Sequence, residues 1–566
     1  MKIPQMSNKW MVIILFLSTF AVALCGFNPS PHSGGDNAGY LSLAHSIVSG
    51  SGYVELWDPE TPVHTKYPPV YPLVLALAML VGVKSWLVFK MLSVAFTALS
   101  LAILFDWIRS RHTVKLALCV CSILVFSPAI LWSSNWILSD PLFLTLTVCC
   151  FWAFERWEEK RHSYSWLFVG CLAATLALFT RTAGLPIIVG VFGVLVLKRE
   201  WRVLAVFITA VTLPSLAWLS LTQGANTGQY VSEFFLIDPY RPELGEIGAF
   251  DFFTRVKENL SKYILSYFPQ GLSSWNEGIS RYFGLLIFLV ASAGWFKRLR
   301  CNVGVSELFF PIYLGLILSW PAVWSGDRFA LPLYPLLLMY AGDALIGMVD
   351  RRSRWLEIVA YTSVVTLFLA TSVITWYEST GNARACKRAI SNAGVFSCYS
   401  SGLQEFVSVA DWLGENIPEG SVVFTRKPRI FFVLSGVQSR TYPFTQDPER
   451  FLEEADQNEI RYVVQDRVDG LGEVYVGSVV RARPERFCSI GFVGNPPQYT
   501  AILGIRDADN LTGNPNDTTR TSEVLEACAP NFLRDDPIQS TVPLNLDVPI
   551  LVGSLRNIVE VEGGNY

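Results

Sequence analysis

The sequence predicts an α-helical polytopic membrane protein, about 11 transmembrane helices followed by a C-terminal extracytoplasmic α/β domain. Three observations lead there. Of 566 residues, 51% are hydrophobic and 16% charged, with a mean hydropathy of +0.37, and the apolar residues come in long unbroken blocks that an ordinary soluble enzyme would not carry. The Lys and Arg clusters fall between alternate blocks. From about residue 377 the composition turns polar. The net charge of -3 is spread without a continuous basic patch, so no nucleic-acid partner is expected.

The first block, Trp10 to Phe27, follows Lys2 and Lys9 and ends in Cys25-Gly26-Phe27-Asn28-Pro29, a poor small-residue cleavage site. It reads as an uncleaved helix with a cytoplasmic N-terminus. Further spans are expected at 86–106, 116–136, 141–155, 164–180, 182–197, 203–221, 281–296, 305–323, 329–348 and 355–376. With that start, Arg109/Arg111/Lys115, Arg156/Lys160/Arg161, Lys198/Arg199/Arg202, Lys297/Arg298/Arg300 and Arg351/Arg352/Arg354 all lie inside, as the positive-inside rule asks. This holds only if Tyr67 to Val83 does not cross. That segment begins with three prolines and ends at Lys84, and it reads as an interfacial helix.

The first outer loop, 28–85, then shares a face with the Ser139-Asp140-Pro141 turn, Arg181, a second large outer loop at 222–280, and Arg328. Asp36 to Val48, apolar at Tyr40, Leu41, Leu43, Ala44, Ile47 and Val48, fits an amphipathic surface helix, with Asp36 at its N-terminus where the helix dipole favours a carboxylate. An N-cap is the plainer role for Asp36, but an acid held at a bilayer interface tends to be functional. Arg181 and Arg328 sit in tight turns. Snorkelling is the plain role for such arginines, and a guanidinium fork that meets phosphate is the functional one. Three histidines, His32, His45 and His64, are scattered in or beside the first loop. Scattered loop histidines seldom ligate, so no metal site is assigned.

The segment 377–566 alternates strand-like runs, Ser421 to Phe424 and Ile460 to Val464, with helical stretches at Gln404 to Asn416 and Pro448 to Asn458. Its four cysteines, Cys386, Cys398, Cys488 and Cys528, allow one or two disulfides of unread pairing. Asn259, Asn510 and Asn516 begin glycosylation sequons. There is no phosphate-binding Gly-Lys loop, no HExxH and no paired CxxC, which argues against an ATP-driven pump or a zinc peptidase.

Gly35-Asp36-Asn37-Ala38-Gly39-Tyr40, Lys66-Tyr67-Pro68-Pro69-Val70-Tyr71-Pro72 and Leu138-Ser139-Asp140-Pro141-Leu142-Phe143, in that order and with this topology, resemble the GT-C glycosyltransferases. Within them the likeness is to the branch of protein mannosyltransferases, aminoarabinose transferases and RgtA/B/C/D-like enzymes, over roughly residues 10 to 350. The resemblance implies a transmembrane catalytic domain at 1–376. It also implies transfer of a sugar from a polyprenyl-phosphate carrier to a lipid, glycan or protein acceptor at the outer face of a bacterial inner membrane. By that likeness Asp36 is the general base and Asp140 the second acid that shapes the site or helps hold a metal. Lys66, Arg181 and Arg328 are then the donor-phosphate cations, in falling order of match to the motif, and Tyr40, Tyr67 and Tyr71 the substrate-side aromatics, with anchoring of the interfacial helix the plainer role for Tyr67 and Tyr71. The chemistry asks for these types: a carboxylate takes the acceptor proton, and a departing lipid phosphate needs Arg, Lys or a divalent ion. The sequence departs from the aminoarabinose pattern in that Thr65, not an acid, precedes Lys66, and Tyr67 intervenes before Pro68. That departure weakens metal binding, and no cofactor is assigned, although a divalent ion stays open. Two rivals of other classes are a transporter or flippase of a lipid-linked or glycan substrate, which would place ionisable residues mid-span and show internal repeats, and a non-catalytic envelope assembly protein.

Overall fold

The computed structural model describes residues 8–31, 34–160, 163–223, 228–348, 354–507 and 525–534. His32, Arg161, Arg351, Arg352, Asn510 and Asn516 lie outside the described residues. The chain forms two compact units. The first holds residues up to 32, 43–54 and 63–395; the second holds 33–42, 55–62 and the chain from 396 onward.

Every one of the eleven expected spans is helical. Among the described residues four are long and apolar enough to cross a membrane, or five if a bent pair counts as one: Trp86–Arg111, Trp201–Leu221, Glu277–Cys301, Ile358–Ala393, and Val114–Val125 with Pro128–Ser134. The 60° bend in that pair has a local cause. Pro128 cannot continue the first helix, and the Ser127 hydroxyl accepts from the Ile130 amide to start the second. The other apolar helices are shorter, and Val70–Leu80 has 11 residues, about half of what a crossing needs.

Close helix packing depends on glycine at two places. A Cβ on Gly284 would lie 2.0 Å from the Ile264 carbonyl oxygen, and one on Gly294 would lie 2.0 Å from that of Tyr340. Helix Glu277–Cys301 therefore rests directly on two neighbouring backbones, as small residues allow between apolar helices. The last helix runs from Arg354 to Ala393, past the expected limit at 376. The polar stretch after 376 holds no proline, so nothing stops the helix before Gly394, whose φ of +95° terminates it.

Helix Gly35–Val48 forms as expected but is not amphipathic in its surroundings. Residues Asn37 to Ala44 are all buried.

The second unit has a five-stranded sheet of order β2-β1-β3-β5-β4, with β1 Val423–Phe424, β2 Ser439–Arg440, β3 Tyr462–Gln465, β4 Phe487–Asn495 and β5 Gln498–Ile505. β1 pairs with β2 and with β3 in parallel, while β5 runs antiparallel to β3 and β4. Helix Ser401–Asn416 buries Phe406, Val409, Ala410 and Leu413 on one face of the sheet, and Pro448–Gln457 packs Phe451, Leu452 and Ala455 on the other. Cys488 and Cys528 form a disulfide. The first outer loop contributes to this unit. The Ser439 amide donates to the Trp57 carbonyl at 2.7 Å, extending the sheet edge, and Arg440 pairs with Asp58 at 3.1 Å and Glu60 at 2.8 Å.

Candidate active site

The first unit brings Asp140, Arg181 and Arg328 together. Asp140 opens helix Asp140–Glu159 next to Pro141, so its carboxylate sits at the positive end of the helix dipole and is only 4% exposed. Arg181 Nη1 approaches one of its oxygens at 2.5 Å, and Arg328 Nε approaches the other at 2.9 Å. Both guanidiniums also lie against the Phe329 ring, at 5.4 and 5.7 Å from its centroid.

Each arginine is held by a tight turn. Arg181 precedes the 3₁₀ turn Thr182–Gly184, where a Cβ on Gly184 would lie 2.7 Å from Leu178 backbone atoms. Arg328 belongs to the 3₁₀ turn Asp327–Ala330, to which Tyr334 Oη donates at the Asp327 carbonyl (3.2 Å) and Tyr313 Oη at the Phe329 carbonyl (2.9 Å). The Val70 amide donates to the Phe179 carbonyl at 2.9 Å, which ties the Lys66 to Pro72 run to the Arg181 turn.

Lys66 pairs with Glu233 at 2.7 Å and sits 5.4 Å over the Trp324 ring. Trp324, Trp320, Phe234 and Tyr240 form an aromatic wall there, with centroid separations of 5.9 to 6.5 Å. The second loop is helical, and one of its helices, Ala249–Lys262, fastens this wall. Its Arg255 donates to the Phe234 and Leu236 carbonyls, and its Asn259 donates to Leu318 and Trp320 carbonyls at 2.9 and 2.8 Å while accepting from Ser325. Asn259, which begins a sequon, is therefore 0% exposed.

Tyr67 and Tyr71 are buried. The Tyr67 amide donates to His64 Nε2 at 2.9 Å, and its carbonyl accepts from Tyr53 Oη at 2.9 Å. His64, fully buried and engaged in this way, braces the loop, while His45 is exposed. Asp36, half-buried in the first turn of its helix, and Tyr40, buried, belong to the second unit.

Sequence reasoning did not single out Glu233, Trp324, Asp327 or Lys90. Burial pushes the Asp327 carboxyl above its ordinary range, against two backbone amides that lower it. Lys90 is fully buried and donates to the Asn28 and Ser30 carbonyls at 2.6 and 2.7 Å, fixing the start of the first loop. A lone Lys near the start of an apolar block is a detectable signal; the other three give none.

No group of three or more His, Cys, Asp or Glu suited to a metal occurs among the described residues. Two guanidiniums on the Asp140 carboxylate also make it a poor ligand for a divalent cation.

No family model matches the sequence, and no curated protein matches it. Solved structures do match in fold. ArnT from Cupriavidus metallidurans bound to undecaprenyl phosphate superposes with a TM-score of 0.54 at 12% identity, covering 90% of this chain and 100% of that one. The archaeal oligosaccharyltransferase AglB from Archaeoglobus fulgidus, in complex with an inhibitory peptide and a dolichol-phosphate, gives 0.54 at 13% identity over 90% of this chain and 76% of that one. The oligosaccharyltransferase of the same organism in complex with Zn and sulfate gives 0.52 at 14% identity, covering 87% and 72%. At these identities the likeness establishes the fold.

Proposed function

We propose that the protein is a membrane glycosyltransferase that moves a sugar from a polyprenyl-phosphate-linked donor to a lipid, glycan or protein acceptor. The observation that carries this reading is the Asp140 carboxylate holding Arg181 and Arg328 at one spot of the helical unit. Its support from the fold is that relatives of this architecture are described with undecaprenyl phosphate and dolichol-phosphate bound.

In this reading the acceptor hydroxyl oxygen attacks the anomeric carbon as the bond from that carbon to the phosphate oxygen breaks. Asp36 takes the hydroxyl proton, and the leaving phosphate keeps the bonding electron pair. Arg328, Arg181 and Lys66 neutralise the charge that develops on it, the guanidiniums offering paired N–H donors and the ammonium a point charge. Asp140 serves by orienting the two arginines. Trp324, Trp320 and Tyr240 offer ring faces to a sugar, a role that buried Tyr67 and Tyr71 fill less well. The active site and the second unit are assigned to the extracytoplasmic side of a bacterial inner membrane.

The test supplies the purified full-length protein in nanodiscs with a panel of polyprenyl-phosphate sugars and follows donor consumption. One donor should be consumed, and Asp36→Asn should slow that turnover by roughly 10² to 10⁴-fold with folding retained. Unimpaired turnover by the variant removes Asp36 from the base role, and a panel left wholly unconsumed removes the enzyme reading.

A further inference from the structure

The second unit buries polar groups that its own fold leaves without partners. β2, β1 and β3 are adjacent and parallel, so their carboxyl ends open on the same edge of the sheet. Each strand passes there into a loop, and each loop buries one polar side chain: Thr425 after β1 (0% exposed), Tyr442 after β2 (1%) and Asp466 after β3 (2%). Among the described residues, Thr425 Oγ1, Tyr442 Oη and Asp466 Oδ2 have no hydrogen-bond partner. The other Asp466 oxygen accepts from the Val468 amide at 2.9 Å. Folded proteins rarely leave such groups unsatisfied, and three of them at neighbouring strand ends call for an occupant that gives and accepts hydrogen bonds.

The surroundings define what kind of occupant. Asp466 acts electrostatically on Tyr442 and is itself acted on by Asp469, Lys427 and Arg426, so these groups share one locality. Arg426 and Lys427 grip Asp469 at 2.9 and 3.3 Å. Their cations are thus already engaged, which disfavours a phosphate. To one side Phe444 stacks on Tyr475 at 5.3 Å. Gly472 brings the helical turn after β3 directly onto the strand end, since a Cβ there would lie 2.4 Å from the Asp466 carbonyl oxygen. The unmet groups are two hydroxyls, which both donate and accept, and one carboxyl oxygen, which accepts from a hydroxyl when ionised. That set complements a neutral polyhydroxylated ring. The carboxyl ends of parallel strands are also where open α/β sheets take ligands.

We infer that the carboxyl end of β2-β1-β3 is a saccharide-binding site, with Thr425, Tyr442 and Asp466 as its hydrogen-bonding groups. Entry is past the Arg426–Asp469–Lys427 ion pairs, whose side chains are 10%, 18% and 28% exposed.

The experiment titrates the full-length protein in nanodiscs with free glucose, mannose, galactose, arabinose and N-acetylglucosamine, and separately with inorganic phosphate, by calorimetry. At least one sugar should saturate. Asp466→Asn and Thr425→Val should each weaken it about tenfold or more, as expected for a lost hydrogen bond in a buried site, with the circular-dichroism spectrum and melting temperature retained. Should either variant misfold, Tyr442→Phe, which removes only a hydroxyl, carries the same expectation. No saturation by any sugar, saturation that these substitutions leave unchanged, or competition by phosphate would each overturn the inference; in the first case the three groups hold trapped water alone.

Discussion

The two ends of the helical unit both bury ion pairs, yet they are built differently. At one end Arg111 reaches Glu307 at 2.6 Å and Glu155 at 3.2 Å, Asp106 joins Arg109 and Arg156, and Asp343 joins Lys297 and Arg298. These groups come from helix termini, and the central pair is sealed, with Arg111 5% and Glu307 0% exposed. Arg109, Arg111, Arg156, Lys297 and Arg298 thus act as a clamp that binds helices to each other. At the other end Asp140, Arg181, Arg328, Lys66 and Glu233 are carried mostly by turns and loop helices, and the three cations are 13%, 20% and 30% exposed. Charge on rigidly braced turns within reach of solvent suits a site that exchanges ligands, while charge sealed between helices suits a fold.

Breaking the sealed end should have the largest effect. Arg111→Met strands Glu307 without its cation in a fully buried place, and the expected loss is about 3 to 5 kcal/mol of stability. It would be read as a lowered melting temperature of the purified protein, with turnover per folded molecule retained. A variant that melts like the parent would show that the clamp is not structural.

The opposite end should respond in function. Arg328→Lys keeps the charge but loses the planar fork on Asp140, so donor turnover should fall about 10 to 100-fold while the melting temperature stays near that of the parent. A matching loss of stability, with activity per folded molecule intact, would make the two ends alike.

Acidity sharpens the contrast further. Burial raises the Asp327 carboxyl in the folded state, so the folded form holds its proton more tightly than the unfolded chain does. Stability contributed by that proton is present at and below the ordinary carboxyl value near 4, and it is lost as pH rises through the folded value. Asp327→Asn should flatten the pH dependence of melting above pH 4 and raise the melting temperature at pH 7. An unchanged profile would show that Asp327 is well solvated.

The smallest effect is expected at Lys66 and Glu233. Both are partly exposed, and Glu233→Gln should change stability by less than about 1 kcal/mol. Its signature should be a changed apparent affinity for the donor that fades with added salt. A salt-independent change would mean that Glu233 acts through packing.

Much of the helical unit was legible in the sequence. Apolar blocks marked where helices lie, four or five of them long and apolar enough to cross a membrane among the described residues, while the break at Ser127-Pro128 inside the expected span 116–136 was not read. Short strands such as Ser421 to Phe424 and Ile460 to Val464 were readable from their alternation and became β1 and β3. The end of the last helix was not legible, because a polar composition says nothing about where a helix stops when only Gly394 ends it. Surface exposure was misread along Gly35–Val48 for a related reason: sequence gives polarity and size but not which neighbours arrive.

For the site, sequence alone determined its residue types and the turns that hold them: Asp140 beside a helix-starting proline, and Arg181 and Arg328 in breaks between apolar blocks. Those follow from local chemistry, since proline, glycine and charge interrupt apolar helices wherever they occur. Only the tertiary structure decided that Asp140 clasps both arginines, that Glu233 meets Lys66 across 167 positions, and that Thr425, Tyr442 and Asp466 end neighbouring strands. Such partnerships join segments far apart in the chain, and what selects them is the packing of whole helices and strands, which no local pattern encodes.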